Sequence, residues 1–444
     1  MITATEPKNS FAAAFEEFEG RLDGGRPWLR ELRQAALARF LERGFPTTRD
    51  EDWRFTNVSA LERTPFRPAA ACDLPAQRAT LLALPWDVGG EQMILVNGRY
   101  APDLSTLSAE NGVRCGSLGS ALATGDGELE DYLAQHADYM DCSFVALNTA
   151  FMADGAYVRI PRRHMAERPL HIVHISVPGE APSMVHPRTL VLVDDEAQAS
   201  IVESYISLGE GTSFTNAVTE LVVGERAQLR HYKLAREALG TYHIGTVQIH
   251  QKRDSEVLSH CITLGGGLVR HNINSVLAGA GGHCRLLGLY LVGGDQHVDN
   301  HLRVEHVAPH CDSREVFKGI LEGRARAVFT GRIVVHRGAQ QTDAKQTNKN
   351  LMLSGEAQVD SKPQLEIHAD DVKCTHGATI GQIDRDALFY LRSRGLSEAA
   401  ARSLLVYAFA SESLAQVEIE SLRRRLQREL ADRLPQGEFL EALS

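Results

Sequence analysis

The chain has 444 residues, enough for about three domains or for one long core with appended ends. With 43% hydrophobic and 23% charged residues it can bury a sizeable core, which excludes an intrinsically disordered protein. Its 47 Lys and Arg stand against 57 Asp and Glu, and the net charge of −10 argues against a general nucleic-acid coat or an anionic membrane surface as partner.

The first residues carry Glu6 and Asn9 and no apolar core after a basic start, so they do not read as a secretory signal. No apolar run approaches the length of a membrane span. Seven cysteines, dispersed and without a C-x-x-C pair, disfavour a disulfide framework and a zinc ribbon, and a reducing cytoplasm is the expected setting.

In chain order, Phe11, Phe15 and Phe18 recur at helical spacing. Beyond an expected break at Asp23-Gly24-Gly25, Trp28, Leu29, Leu32, Ala36 and Leu41 continue the stripe until Gly44 and Pro46 stop it. Asn97-Gly98 follows the apolar run Met93 to Val96 and is a hairpin signal. The section 1–147 is therefore expected to be largely helical with some strand.

From 148 to 383 the texture becomes short β-rich runs, such as Leu190 to Val193, Ser200 to Ile206, Val218 to Val223 and Arg332 to Val335. That stretch is too long for one ordinary sandwich. Leu321-Glu322-Gly323-Arg324-Ala325 recurs 32 residues on as Leu353-Ser354-Gly355-Glu356-Ala357, and Ala197-Gln198 recurs 30 residues on as Ala227-Gln228. Leu277-Ala278-Gly279 opens a similar unit. Recurrence near thirty residues with one small-residue turn per unit predicts a solenoid of stacked coils, each burying its apolar face on the next. The alternative on periodicity alone is a large Greek-key or jelly-roll barrel.

After Ile383 the helical period returns, and 384–444 is expected to be a helical domain. Asp384 to Arg394 predicts one helix closed by Gly395, and Ser397 caps a second that carries Ala400, Leu404 and Ala408. A third carries Leu422, Leu426 and Leu430, with Arg423, Arg424, Arg425 and Arg428 expected on a solvated face.

Several chemistries fail at the level of motif. There is no G-x-x-x-x-G-K-[ST], no G-x-G-x-x-G, no G-x-S-x-G and no H-E-x-x-H, so any ATP that drives this protein must bind elsewhere. Histidines gather between His260 and His310, including His297-x-Asp299-x-His301 and His306-x-x-x-His310-Cys311. Residues two apart on a strand share a face, so Asp299 with His301, or His297 with Asp299, offers an N/O pair to a metal. The competing reading, and the favoured one, makes them polar linings of coil turns. Cys374-Thr375-His376 is sharper: on an extended strand Cys374 and His376 share one face, and thiolate with imidazole suits iron or zinc. Two ligands make half a site, so the remainder must come from another strand or subunit.

The runs Lys362-Pro363-Gln364-Leu365-Glu366-Ile367, Asp370-Asp371-Val372-Lys373-Cys374-Thr375-His376-Gly377-Ala378-Thr379-Ile380-Gly381 and Phe389-Tyr390-Leu391-Arg392-Ser393-Arg394-Gly395 resemble the SufB/SufD family of iron-sulfur cluster assembly proteins. The K-C-[ST]-H-G-A-T version of the middle motif is similar to the SufD branch. Arg49-Asp50-Glu51-Asp52-Trp53-Arg54-Phe55-Thr56, Phe329-Thr330-Gly331 and Gln346-Thr347-Asn348-Lys349-Asn350-Leu351 extend the match.

The resemblance implies a right-handed parallel β-helix flanked by helical ends, mainly β overall. It implies a non-catalytic scaffold subunit that pairs with a SufB-like chain and docks a SufC-like ATPase at the helices after the β-helix. It assigns Cys374 and His376 as ligands to a transient iron-sulfur cluster or iron at the partner interface, with no permanently bound cofactor. A homodimer of the isolated chain is a further expectation, and a carbohydrate-active β-helix enzyme or a plain structural oligomer are the rivals. At 6% aromatic residues the sugar-binding reading is the weaker.

Overall fold

The thirty-residue recurrence is a coil repeat. The computed structural model describes residues 7–20, 26–70, 72, 74–108, 112–125, 128–437 and 440. In one sheet, strands Gln198–Ser207, Gln228–Arg236, Glu256–Thr263, His283–Val292, Asp312–Leu321, Thr342–Met352 and Val372–Gln382 stack in parallel, each on the strand one coil earlier. The second sheet stacks Ser213–Val223, Thr241–Gln251, Leu268–Leu277, His297–His306, Arg326–Val335 and Gln358–Ile367 in the same way. The chain alternates between the sheets and forms a parallel β-solenoid of about eight turns with helices at both ends. The sequence echoes lead into register partners: Gln198 pairs with Gln228, and Arg326, directly after the second echo, with Gln358.

One corner shows why the repeat is spelled as it is. Glu196, Arg226, Asp254, Gly281, His310 and Gln341 all have positive φ, one per coil, and each is followed by a small or compact buried residue: Ala197, Ala227, Ser255, Gly282, Cys311 and Thr342. Five of the six are not glycine, and the left-handed conformation costs such residues roughly 1–2 kcal/mol. Inter-coil hydrogen bonds offset that cost, since each corner N–H donates to a carbonyl of the next coil, as from Glu196 to Glu225, Arg226 to Arg253 and His310 to Gln340. Along each strand alternate residues face the lumen, where Leu229, Val257, Leu286, Phe317 and Phe329 form one continuous core.

At the N-terminal end, helices Pro7–Glu19 and Pro27–Arg43 form where the stripe predicts them. The expected break at 23–25 lies outside the described residues. Gly44, at φ +73°, donates its N–H to the Phe40 carbonyl and ends the second helix. Asn97 and Gly98, at φ +50° and +76°, turn strand Glu91–Val96 into Arg99–Tyr100 as a hairpin. Glu91–Val96 also pairs in parallel with Leu170–Ser176 and so begins one sheet, while Arg114–Ser117 closes the other by antiparallel pairing with Gly155–Ile160. Residues 147 and 148, the expected boundary, lie inside helix Ser143–Phe151, which is buried along its whole length.

At the C-terminal end, the Asp384 carboxylate accepts from the N–H groups of Asp386 and Ala387 and opens helix Arg385–Ser393. Ser397 Oγ accepts from the Ala400 N–H and opens Glu398–Leu414. These helices lie outside the stacked coils but are not detached from them. Glu398–Leu414 and Glu420–Asp432 lay Val406, Ala410, Leu414, Leu422 and Leu426 on the outer face of a sheet, against Leu258, Ile262, Leu287, Leu289 and Ile320. Lys318 Nζ adds a hydrogen bond to the Phe409 carbonyl at 3.0 Å. Only Arg385–Ser393 buries no residue. The arginine row is not wholly solvated either: Arg424 pairs with Glu420 in solvent, but the Arg425 guanidinium lies 5.2 Å from the Trp86 ring, which Arg236 contacts at 3.7 Å.

Candidate functional site

The solenoid is finished at one end and open at the other. Strands Val372–Gln382 and Gln358–Ile367 are the last of their sheets and pair on one side only. In the lumen, Ala344 is in register with Cys374, Gln346 with His376, Asn348 with Ala378 and Asn350 with Ile380. Ala344, Gln346, Asn348 and Asn350 are buried because a further coil covers them. Among the described residues no coil covers the last strand, so His376, Ala378 and Ile380 face the open end and are exposed, Ile380 to 51%. Pro363, Leu365 and Ile367 of the opposite last strand follow the buried Gly331, Ile333 and Val335 in register and face the same space.

Cys374 and His376 therefore share the lumen side of one strand, two residues apart. Cys374 is half-buried against Ile333, Val335, Ala344 and Leu365. Burial pushes its thiol pKa up, the charges of Asp343 and Glu315 add to the rise, and a hydrogen bond to the Ala344 backbone opposes it. The sulfur is thus protonated in the open chain, and binding a metal or sulfide-bridged species would displace that proton. Lys373 stands on the outer side of the strand and does not contribute to the thiol's pKa. Among the described residues no three His, Cys, Asp or Glu side chains gather as a metal site, so the pair offers two donors.

Three members of the histidine group fit neither sequence reading. His297, Asp299 and His301 lie on the outer face of the other sheet, where they clasp the segment Arg49 to Thr56. The Arg270 guanidinium covers the Trp53 ring at 3.8 Å and donates to Asp299 Oδ2 at 2.5 Å and to the Asp52 carbonyl at 2.7 Å. Thr56 Oγ1 donates to Asp299 Oδ2 at 2.5 Å and meets His297 Nε2 at 3.0 Å. His301 Nε2 sits 3.3 Å from Asp52, whose carboxyl is held down to about 2, chiefly by that neighbour. Lys362 Nζ, on the last strand, reaches Glu51 at 2.5 Å. These are clasp residues rather than metal ligands or turn linings. The sequence signal for them was the Arg49 to Thr56 motif, whose partners lie more than two hundred residues away. His306 is buried in the lumen against Ser313, and His310 occupies the coil corner.

Comparison with known proteins places the chain in a family. The family model for the SUF system FeS cluster assembly SufBD core domain matches residues 175–409, and that for the SufBD N-terminal region matches 5–172. An iron-sulfur cluster assembly SufBD family protein of Synechocystis sp. is 37% identical over 390 residues, 86% of each chain. The iron-sulfur cluster assembly protein SufD of Escherichia coli is 33% identical over 406 residues, covering 91% of this chain and 93% of its own, and SufD of Bacillus subtilis is 24% identical over 411 residues, covering 90% and 92%. The chain belongs to the SufBD family of iron-sulfur cluster assembly proteins and is SufD-like.

Proposed function

We propose that this chain is a non-catalytic scaffold subunit that pairs with a SufB-like subunit and a SufC-like ATPase in the cytoplasm, and that His376 and Cys374 hand donors to iron or a nascent cluster at the subunit interface. The observation that carries this reading is the open end. Imidazole and thiol stand two residues apart on a strand paired along one edge only, where a partner coil would cover them and bring the missing ligands. Two long edge strands left bare are a pairing surface unless something covers them, and Ile367 and Ile380 are exposed there at 41% and 51%. A second copy of this chain is the alternative occupant. The helix Arg385–Ser393, with Phe389 74% and Tyr390 56% exposed, is the part of the C-terminal helices available to an ATPase. Among the described residues no helix is long and apolar enough to cross a membrane, and the family names describe assembly proteins rather than enzymes.

The test is iron and sulfide content of the purified complex, measured beside its melting temperature. His376→Ala is expected to leave folding and assembly intact and to lower bound iron several-fold, with Cys374→Ser having an equal or smaller effect. Normal iron in a folded His376→Ala complex would end the ligand assignment. Lost stability with normal iron per folded complex would make both side chains filling.

A further inference from the structure

Beneath the exposed pair lies a buried polar column that the reading above does not use. Glu315, Gln346 and His376 are consecutive register partners on three stacked strands, all facing the lumen. Glu315 is fully buried. Its Oε2 accepts from Gln346 Nε2 at 2.5 Å and its Oε1 from Ser313 Oγ at 3.1 Å, which His306 Nε2 meets in turn at 3.1 Å. Gln346 is held from the facing sheet as well: a Cβ built on Gly331 would fall 2.2 Å from its Nε2 and 2.6 Å from its Oε1. The amide is thus pinned at one end by a carboxyl and along its flank by backbone.

Its other end is free. Gln346 Oε1 is buried and has no hydrogen-bond partner, so its desolvation is uncompensated. Gln346 is only 1% exposed in the penultimate layer, and what covers it from the open side is the last strand, with His376 as its register neighbour about 4.8 Å away. A histidine that ligates through one ring nitrogen needs an acceptor for the other ring N–H, which sets its tautomer and direction.

We propose that Gln346 is the positioning residue of His376: its Oε1 accepts the Nδ1–H of the imidazole, so that the Nε2 lone pair faces the open end. Glu315 acts one layer deeper by fixing which end of the amide is presented. The proposal rests on the ligand role for His376 argued above, but its readout is separate from iron content. The burial that raises the Glu315 carboxyl to about 7 is compatible with a hydrogen-bonding role for it.

The experiment is nitrogen-15 spectroscopy of the histidine side chains in the full chain at pH 8.5, well above the ordinary histidine range near 6.5, with the His376 signal assigned by its loss in His376→Ala. Wild type should show His376 enriched in the Nδ1–H tautomer. Gln346→Met, which keeps the side-chain length and removes the amide, should return it to the mixture of an unrestrained imidazole. Glu315→Gln, which keeps an acceptor for Nε2, should stay close to wild type. A His376 tautomer unchanged by Gln346→Met in a folded chain would overturn the proposal. If Gln346→Met fails to fold, Gln346→Asn, which withdraws the oxygen by one methylene, serves the same comparison. A tautomer shift in Gln346→Met alongside normal iron in His376→Ala would leave the hydrogen bond standing and remove the ligand role.

Discussion

Asp299 is a carboxylate buried on the outside of a sheet, 1% exposed, and it is stable there because Arg270 and Thr56 both donate to it while Trp53 roofs the guanidinium. Removing one partner of a buried pair leaves the other charge uncompensated, which costs about 3–5 kcal/mol. Asp299→Ala is therefore expected to lower the urea-unfolding free energy by that order and to free the segment around Trp53 for proteolysis. Asp299→Asn, which keeps an acceptor for Thr56, should cost less. Equal losses in the two would show that shape rather than charge holds the clasp. The same reasoning separates this cluster from a metal site, since its acid and its histidines are already engaged.

Among the elements, the three C-terminal helices divide by what they cover. Leu414 is 1% exposed and lies in the cluster with Leu287 and Leu289, so Leu414→Ala should destabilise by about 2–5 kcal/mol. Deleting everything from Asp384 would strip the outer sheet face of its cover and confound any docking assay. Phe389 and Tyr390 project from a helix with no buried residue, and exposed substitutions of this kind usually stay within about 0.5 kcal/mol. The double variant Phe389→Ala, Tyr390→Ala should keep its melting temperature and lose capture of the SufC-like ATPase. Full capture would move the docking surface elsewhere.

On the scale of the whole molecule, antiparallel strands terminate the solenoid at its beginning, and among the described residues nothing terminates it at its end. Ala378 faces the open lumen and is exposed. Ala378→Arg should block a partner coil, read as loss of the complex in size-exclusion chromatography, without changing the fold of the chain.

Buried histidines on both sides of the sheets set an acid limit. Burial, the leading cause in each case, holds His171, His186 and His260 down to about 3 and His306 to about 4. The unfolded chain takes up these protons near pH 6.5 and the folded chain does not, so stability falls as pH drops from about 6.5 toward those values, by up to about 1.4 kcal/mol per pH unit for each group. Glu315, raised to about 7, acts in the opposite sense between about 4.5 and 7, and one group is outweighed by four. The urea midpoint at pH 5.5 should lie below that at pH 7.5. A higher midpoint would mean that the buried imidazoles are charged in the folded state.

What the sequence by itself determined is what repeats or terminates locally. The thirty-residue echo, the Asn97-Gly98 turn, the caps at Asp384 and Ser397 and the two-residue spacing of Cys374 and His376 all depend on neighbours along the chain. The tertiary structure alone decided which residues meet across coils. Asp52 with His301, Glu51 with Lys362, Trp86 with Arg236 and Arg425, and Glu315 beneath Gln346 are contacts set by sheet register and by helices folding back over a sheet. Parallel coils bring residues tens to hundreds of positions apart into contact, and no spacing in the chain encodes which face a returning helix will cover. For the same reason the exposure of His376 was not legible from its motif: it follows from being on the last coil, where the lumen column that buries Glu315 and Gln346 runs out of strands.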